Sequence, residues 1–231
     1  MYKRVLKVFL FFLFLSHAAA AQTLQSPEQF LGYKIGARFT PHHKVVDYYK
    51  HVAAAAPTMV KLQVYGKTYE GRELLTAFVS APAHISNLES IRTNNLRLAQ
   101  LEGGNGITAN TPPLVWLSYN VHGNEASSTE ASLMTLYDLV NPTNTQTKSW
   151  LQNTVVVLDP CLNPDGRDRY VNWFNSVSGK NHNPLLAARE HLEPWPGGRP
   201  NHYYFDLNRD WAWQTQLESR LRVKQYNQWL P

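Results

Sequence analysis

Two short runs dominated by apolar residues constrain this chain most: Leu114-Val115-Trp116-Leu117-Ser118-Tyr119-Asn120-Val121 and Thr154-Val155-Val156-Val157-Leu158. Strands with one wet face alternate apolar and polar residues, and these do not. They read as strands of a sheet covered on both faces. Ala126 to Val140, between them, reads as a helix, and strands alternating with helices argue an α/β layered fold. Cys161 is the only cysteine, so no intrachain disulfide can brace the chain and its stability must come from a packed core. The 231 residues are enough for one domain with such a core.

The rest of the chain fits this frame in part. His42 to Pro57 carries apolar residues at helical spacing, among them Val45, Val46, Tyr49 and Val52. Lys61–Tyr65 and Leu74–Ser80 read as strands around the turn Gly66–Arg72, and Ile85–Leu101 as a second helix. Gly103–Pro113 is a loop by composition, and Ala212–Leu230, without Gly or Pro, is a final helix. Residues 22–40 read as a loosely docked linker. Between Asp159 and Trp213 the chain is rich in Asn, Pro, Gly, His, Tyr and Trp and has little periodicity beyond a short helix at Leu185–His191. Long irregular segments of that kind are usually functional loops.

The N-terminus has a different character. Lys3, Arg4 and Lys7 precede the apolar stretch Val8–Leu15, and Ala18–Ala21 supply small residues. This is the pattern of a secretory signal peptide cleaved before Gln22, and it is too short to span a bilayer. Loss of residues 1–21 removes three basic residues and no acidic one, so the net charge falls from +5 to about +2. No basic stripe remains to favour nucleic acid. After cleavage no segment is long enough for a membrane span, and a secreted or periplasmic protein is expected.

Chemistry concentrates in three places. His122-Gly123-Asn124-Glu125 follows the first apolar run and opens the next helix, where α/β folds place their ligands. Imidazole nitrogen and carboxylate oxygen are ordinary zinc donors, although a catalytic zinc normally takes three protein ligands. The simpler reading is a surface histidine beside a glutamate that complements a helix dipole. In Asp206-Leu207-Asn208-Arg209-Asp210, the guanidinium and amide suit a substrate's terminal carboxylate, while pairing of Arg209 with Asp206 or Asp210 is the structural alternative. Asn163-Pro164-Asp165-Gly166 reads as a turn at the crevice wall; of Arg167 and Arg169, which follow it, either could reach an oxyanion, while a solvated side chain is the simpler reading. The aromatic residues Tyr203–Phe205 and Trp211–Trp213 could wall a side-chain pocket or simply pack in a core.

Four blocks taken in order carry a resemblance: Tyr65-Gly-Lys-Thr-Tyr-Glu-Gly-Arg72, His122-Gly-Asn-Glu125, Asn163-Pro-Asp-Gly166 and Asp206-Leu-Asn-Arg209. Over roughly residues 41–231 the chain resembles the zinc carboxypeptidases (the M14, or carboxypeptidase A-like, peptidases). The resemblance implies a mixed, mostly parallel sheet sandwiched between helices, and zinc held by His122 and Glu125. It implies Asn208 and Arg209 on the terminal carboxylate of a peptide or protein substrate.

It also implies a third ligand, a His on a strand after the helix that follows the Asn-Arg pair, and a general-base Glu later still. Both are expected beyond Pro231, since His42, His43, His51, His84, His182, His191 and His202 all precede that pair. The family's transition-state arginine matches only loosely, within Arg167–Asn175. The expectation is therefore the N-terminal part of a metallocarboxypeptidase domain, without activity in isolation. Two other functions share these residues: an aspartoacylase- or succinylglutamate desuccinylase-like zinc deacylase, and a non-catalytic secreted domain that binds peptides or cell-wall material.

Overall fold

The computed structural model describes residues 23–103 and 111–231. The expected leader and most of the Gly103–Pro113 loop lie outside the described residues. Four strands form one mixed sheet: β1 (Val60–Lys67), β2 (Glu73–Val79), β3 (Leu114–Ser118) and β4 (Val155–Asp159), in the order β1-β2-β4-β3. β1 and β2 form a hairpin, β2 and β4 run antiparallel, and β3 and β4 run parallel with Leu114 opposite Val155. The sheet is mixed as expected, but among the described strands the parallel pair is the minority.

Both faces are covered, which is why β2 and β4 lack alternation. Leu75, Ala77, Val79, Val156 and Leu158 face one core, packed with α2 (His42–Ala55) and α5 (Ser127–Val140) through Val45, Tyr49, Val52, Leu133 and Leu136. (Between them in the chain lie α1, Pro27–Leu31; α3, Pro82–Ser86; and α4, Leu88–Leu98.) Phe78, Val155 and Val157 face a second core with Leu88 and Ile91 of α4 and Trp229 of α8 (Leu217–Trp229). Among the described residues no helix is long and apolar enough to cross a membrane.

Several expectations are corrected. The described part of the expected linker, residues 23–40, is not loose: Ser26 caps α1 with a capping box, Leu24, Phe30, Leu31 and Ile35 pack on the first core, and Thr40 is buried. The expected single helix at Ile85–Leu101 is two, broken at Asn87. Asn144 caps α6 (Thr145–Leu151), which the sequence reading did not contain. The final helix starts five residues later than expected, at Leu217 rather than Ala212. Before it, Asp210 accepts hydrogen bonds from the backbone of Thr215 and Gln216 and from the Thr215 hydroxyl, turning the chain first.

The largest correction is α7 (Pro164–Val177), inside the stretch read as irregular. Asn163-Pro164-Asp165-Gly166 is its start rather than a free turn. Asn163 Oδ1 accepts from Gly166 N at 3.0 Å, and Pro164 occupies the first turn, where its missing N–H costs nothing. The helix escapes a periodicity test because its buried face is polar: Asp165, Gly166, Arg167 and Asp168, with Val171.

Arg167 is wholly buried, not solvated. Its Nη1 donates to Asn120 Oδ1 (3.1 Å) and Ala126 O (2.6 Å), and its Nη2 to Thr40 O (2.9 Å) and Glu130 Oε1 (2.6 Å). Glu130 in turn accepts from Thr40 N and Oγ1 at 2.7 and 2.8 Å. One paired charge thus joins the N-terminal segment, α5, α7 and the loop after β3. Removing one member of a buried pair strands the other, so Arg167→Met is expected to cost about 3–5 kcal/mol of folding stability in urea titrations.

Asp159 ends β4 buried beside Arg222 of α8, Oδ2 to Nε 2.9 Å. Burial outweighs the guanidinium and pushes this carboxyl up to about 6. The folded chain therefore holds a proton that the unfolded chain releases near 3.8, so this group's contribution to stability is lost as the pH rises from there to about 6. Asp159→Asn should flatten that part of the stability–pH curve when unfolding midpoints are compared across the window.

Candidate metal centre

β3 stops at Ser118, and the parallel ladder ends where Tyr119 N donates to Asp159 O at 3.0 Å. The chain then turns through Asn120 in the left-handed region, φ 56°, so that residues 122–125 lie at the carboxyl end of the sheet before α5 begins. His122 is 5% exposed, whereas the Glu125 side chain is 58% exposed. His122 Nδ1 lies 2.9 Å from Glu125 Oε1, and its Nε2 lies 3.0 Å from Asp206 Oδ1. The structure thus brings the two expected donors together and adds a carboxylate on the far side of the ring.

That carboxylate is ionised. Burial opposes charge on Asp206, but Asn208 N–H, Arg199 and His122 outweigh it and hold the carboxyl below its ordinary range. Asn208 N donates to Oδ1 at 2.9 Å, and Arg199 Nε and Nη2 donate to Oδ2 at 3.2 and 3.1 Å. In the tautomer that gives Nε2–H to Asp206, the one a metal at Nδ1 requires, the Nδ1 lone pair would face the Glu125 oxygen. Two acceptors at that separation repel unless a proton or a cation lies between them. The donor set therefore fits a zinc ion by chemistry, with the outer carboxylate fixing the tautomer. Among the described residues no third His, Cys, Asp or Glu gathers with the pair into a cluster suited to a metal.

The loop that carries Asp206 is locked to both motif segments by close backbone crossings. A Cβ on Gly123 would meet Arg167 N at 2.2 Å and Gly198 O at 2.3 Å; one on Gly166 would meet Pro200 O at 2.3 Å and Gly198 O at 2.4 Å. Gly198 faces the Cβ of Tyr170 in the same way, at 2.5 Å. Arg199 O accepts from Asn163 Nδ2 at 3.0 Å, and Asn124 Nδ2 donates to Glu193 Oε2 at 2.9 Å. The glycines of two motifs are there to let a third segment pass.

Asn208 and Arg209 lie on a 3-10 turn, Leu207–Arg209, anchored by buried Leu207; both side chains are exposed. Neither expected structural partner takes Arg209, since Asp206 serves His122 and Arg199 while Asp210 serves Thr215 and Gln216. Tyr203, Tyr204, Phe205 and Trp213 on the same loop are more than half exposed. Two site residues escaped the sequence reading. The sequence marks Asp206 only as a partner for Arg209, although its place in the motif is a signal. Arg199, whose Nη1 stands 3.8 Å from Glu125 Oε1, sits in a Gly-Gly-Arg-Pro stretch with no pattern to mark it.

The zinc carboxypeptidase family (Peptidase_M14) matches residues 45–228, and the chain belongs to that family. No protein of curated function matches it in sequence. Its fold is similar to that of a carboxypeptidase A from Helicoverpa armigera (16% identity, TM-score 0.50, covering 95% of this chain and 49% of that one). A protein assigned as a carboxypeptidase A from Shewanella denitrificans is also similar (18% identity, TM-score 0.51, 83% of this chain and 38% of that one). So is a metallo-carboxypeptidase from Burkholderia cenocepacia (12% identity, TM-score 0.50, 80% and 37%). The chain thus spans less than half the length of each.

The crossings make a direct prediction. Gly123→Ala and Gly166→Ala should each destabilise the fold by about 1–3 kcal/mol in urea unfolding, whereas Gly103→Ala, with open space around it, should be near neutral.

Proposed function

We propose that this chain provides part of the active site of a secreted zinc carboxypeptidase that removes C-terminal residues from peptides. The observation that carries the reading is the His122–Glu125 pair, 2.9 Å apart at the end of β3 inside the family match, with Asp206 behind the ring. His122 Nδ1 and a Glu125 oxygen would hold the zinc. When bound, the ion would supply Lewis acidity toward a carbonyl and an acidified water.

The chain's own residues divide the remaining work. Asp206 keeps the His122 proton on Nε2, so that Nδ1 stays a donor to metal. Arg209 grips the terminal carboxylate of the substrate with two parallel hydrogen bonds and Asn208 adds an amide donor, which registers the last peptide bond. Arg199, partly exposed beside Glu125, is the cation best placed to meet negative charge that builds on the carbonyl oxygen. Arg167, in the segment that loosely matched a transition-state arginine, is wholly buried with both terminal nitrogens engaged inside the protein, and takes no such part. Two protein donors hold zinc less firmly than three, so the 231-residue chain should bind zinc weakly and turn over no peptide.

Peptide binding tests the substrate assignment without needing turnover. In calorimetry or fluorescence titrations, a peptide with a free C-terminus should bind about tenfold more tightly than its C-terminal amide, the worth of a charged hydrogen-bond pair. Arg209→Ala should erase the difference. Equal binding of the two peptides by the unaltered chain would overturn the carboxylate-end reading.

A further inference from the structure

Asn120 belongs to none of the motif blocks and has no chemistry of its own. It is nevertheless the most heavily shared side chain near the site. It is 4% exposed and lies two residues before His122. Its Nδ2 faces three carbonyls of the loop that carries the donor pair: His122 O at 2.5 Å, Gly123 O at 3.3 Å and Glu125 O at 3.3 Å. Its Oδ1 accepts from Thr129 Oγ1 at 2.9 Å and Arg167 Nη1 at 3.1 Å, with Cys161 Sγ 3.6 Å away. Its own carbonyl accepts from Asn163 N at 3.2 Å. One amide plane therefore links the loop on one side to the buried Arg167–Glu130 pair on the other.

We infer that Asn120, backed by Arg167 and Thr129, is a positioning residue that sets the direction of the His122 and Glu125 side chains by holding the carbonyls of residues 122, 123 and 125 inward. Eight residues, Tyr119 to Ala126, connect the end of β3 to the start of α5. With the carbonyls turned inward, the side chains of residues 122 and 125 converge instead of splaying. The left-handed φ of Asn120 is part of the device, because asparagine tolerates that region and presents an amide there, whereas glycine tolerates it and presents nothing. The amide nitrogen has two hydrogens for three acceptors, so the His122 carbonyl, the nearest, takes the strongest share. The consequence for zinc rests on reading His122 and Glu125 as metal donors; the consequence for the loop does not.

Asn120→Gly is the informative variant, since it preserves the backbone region and deletes the amide. Amide hydrogen exchange in the 231-residue chain should accelerate by about tenfold or more at Gly123 and Glu125 while α2 and β4 keep their rates. Unchanged exchange at those two amides, or a uniform rise throughout, would overturn the inference, because a merely structural asparagine moves all rates together. Should that variant fail to fold, Thr129→Val decides by the same readout: acceleration confined to residues 122–125 supports the role, and none or a uniform change refutes it. Zinc titration of the same proteins should show about tenfold weaker binding in Asn120→Gly, the range for groups that orient metal ligands. If His122→Ala and the unaltered chain bind zinc alike, the metal reading fails and the exchange result still judges the loop.

Discussion

The candidate site depends on a place where three stretches of backbone touch. Gly123, Gly166 and Gly198 bring the loop after β3, the first turn of α7 and the loop before Asp206 within van der Waals distance of one another. No side chain fits between them, and the hydrogen bonds that close the contact run from Asn163 and Asn124 into residues 193–199. Because the crossing is close-packed, Asp206 and Arg199 arrive beside His122 and Glu125 from far along the chain. A looser junction would leave the pair as a histidine and a glutamate on a surface loop.

Behind the crossing lies a charge that the fold has taken out of water. Arg167 and Glu130 are costly to bury singly, and the structure offsets the cost with four acceptors for the guanidinium's terminal nitrogens and two donors from Thr40 for the carboxylate. The arrangement gives residues 23–40, which precede the family match, a share in the site's foundations. Hydrophobic contacts from Leu24, Phe30 and Leu31 hold that segment on the core, and Thr40 ties it to the charge pair.

What could be read in the sequence was local. The fully covered strand β4 showed in an unbroken apolar run, Val155-Val156-Val157-Leu158, and the donor pair showed because strand end, motif and helix start are contiguous. Asp206 and Arg199 are brought in by tertiary packing, which no window of residues contains. The helix α7 was hidden because the face it buries is polar, and Arg167 was misread because arginine is ordinarily a surface residue. Residues 22–40 lack a helical or strand period, so their apolar side chains gave no hint that they dock. The final helix was found, but its start was displaced by the Asp210 turn, an interaction that composition does not reveal.

His122 and Asp206 are separated by 84 residues, and Arg167 and Thr40 by 127. Closing such long loops costs chain entropy that the contacts at their ends must offset. The setting of the donor pair therefore draws on more than the β3–α5 unit. It becomes complete when the N-terminal segment, α7 and the distal loop have all docked. A metal ion taken up by this geometry would add its binding free energy to that whole set of contacts, and chelation would withdraw it.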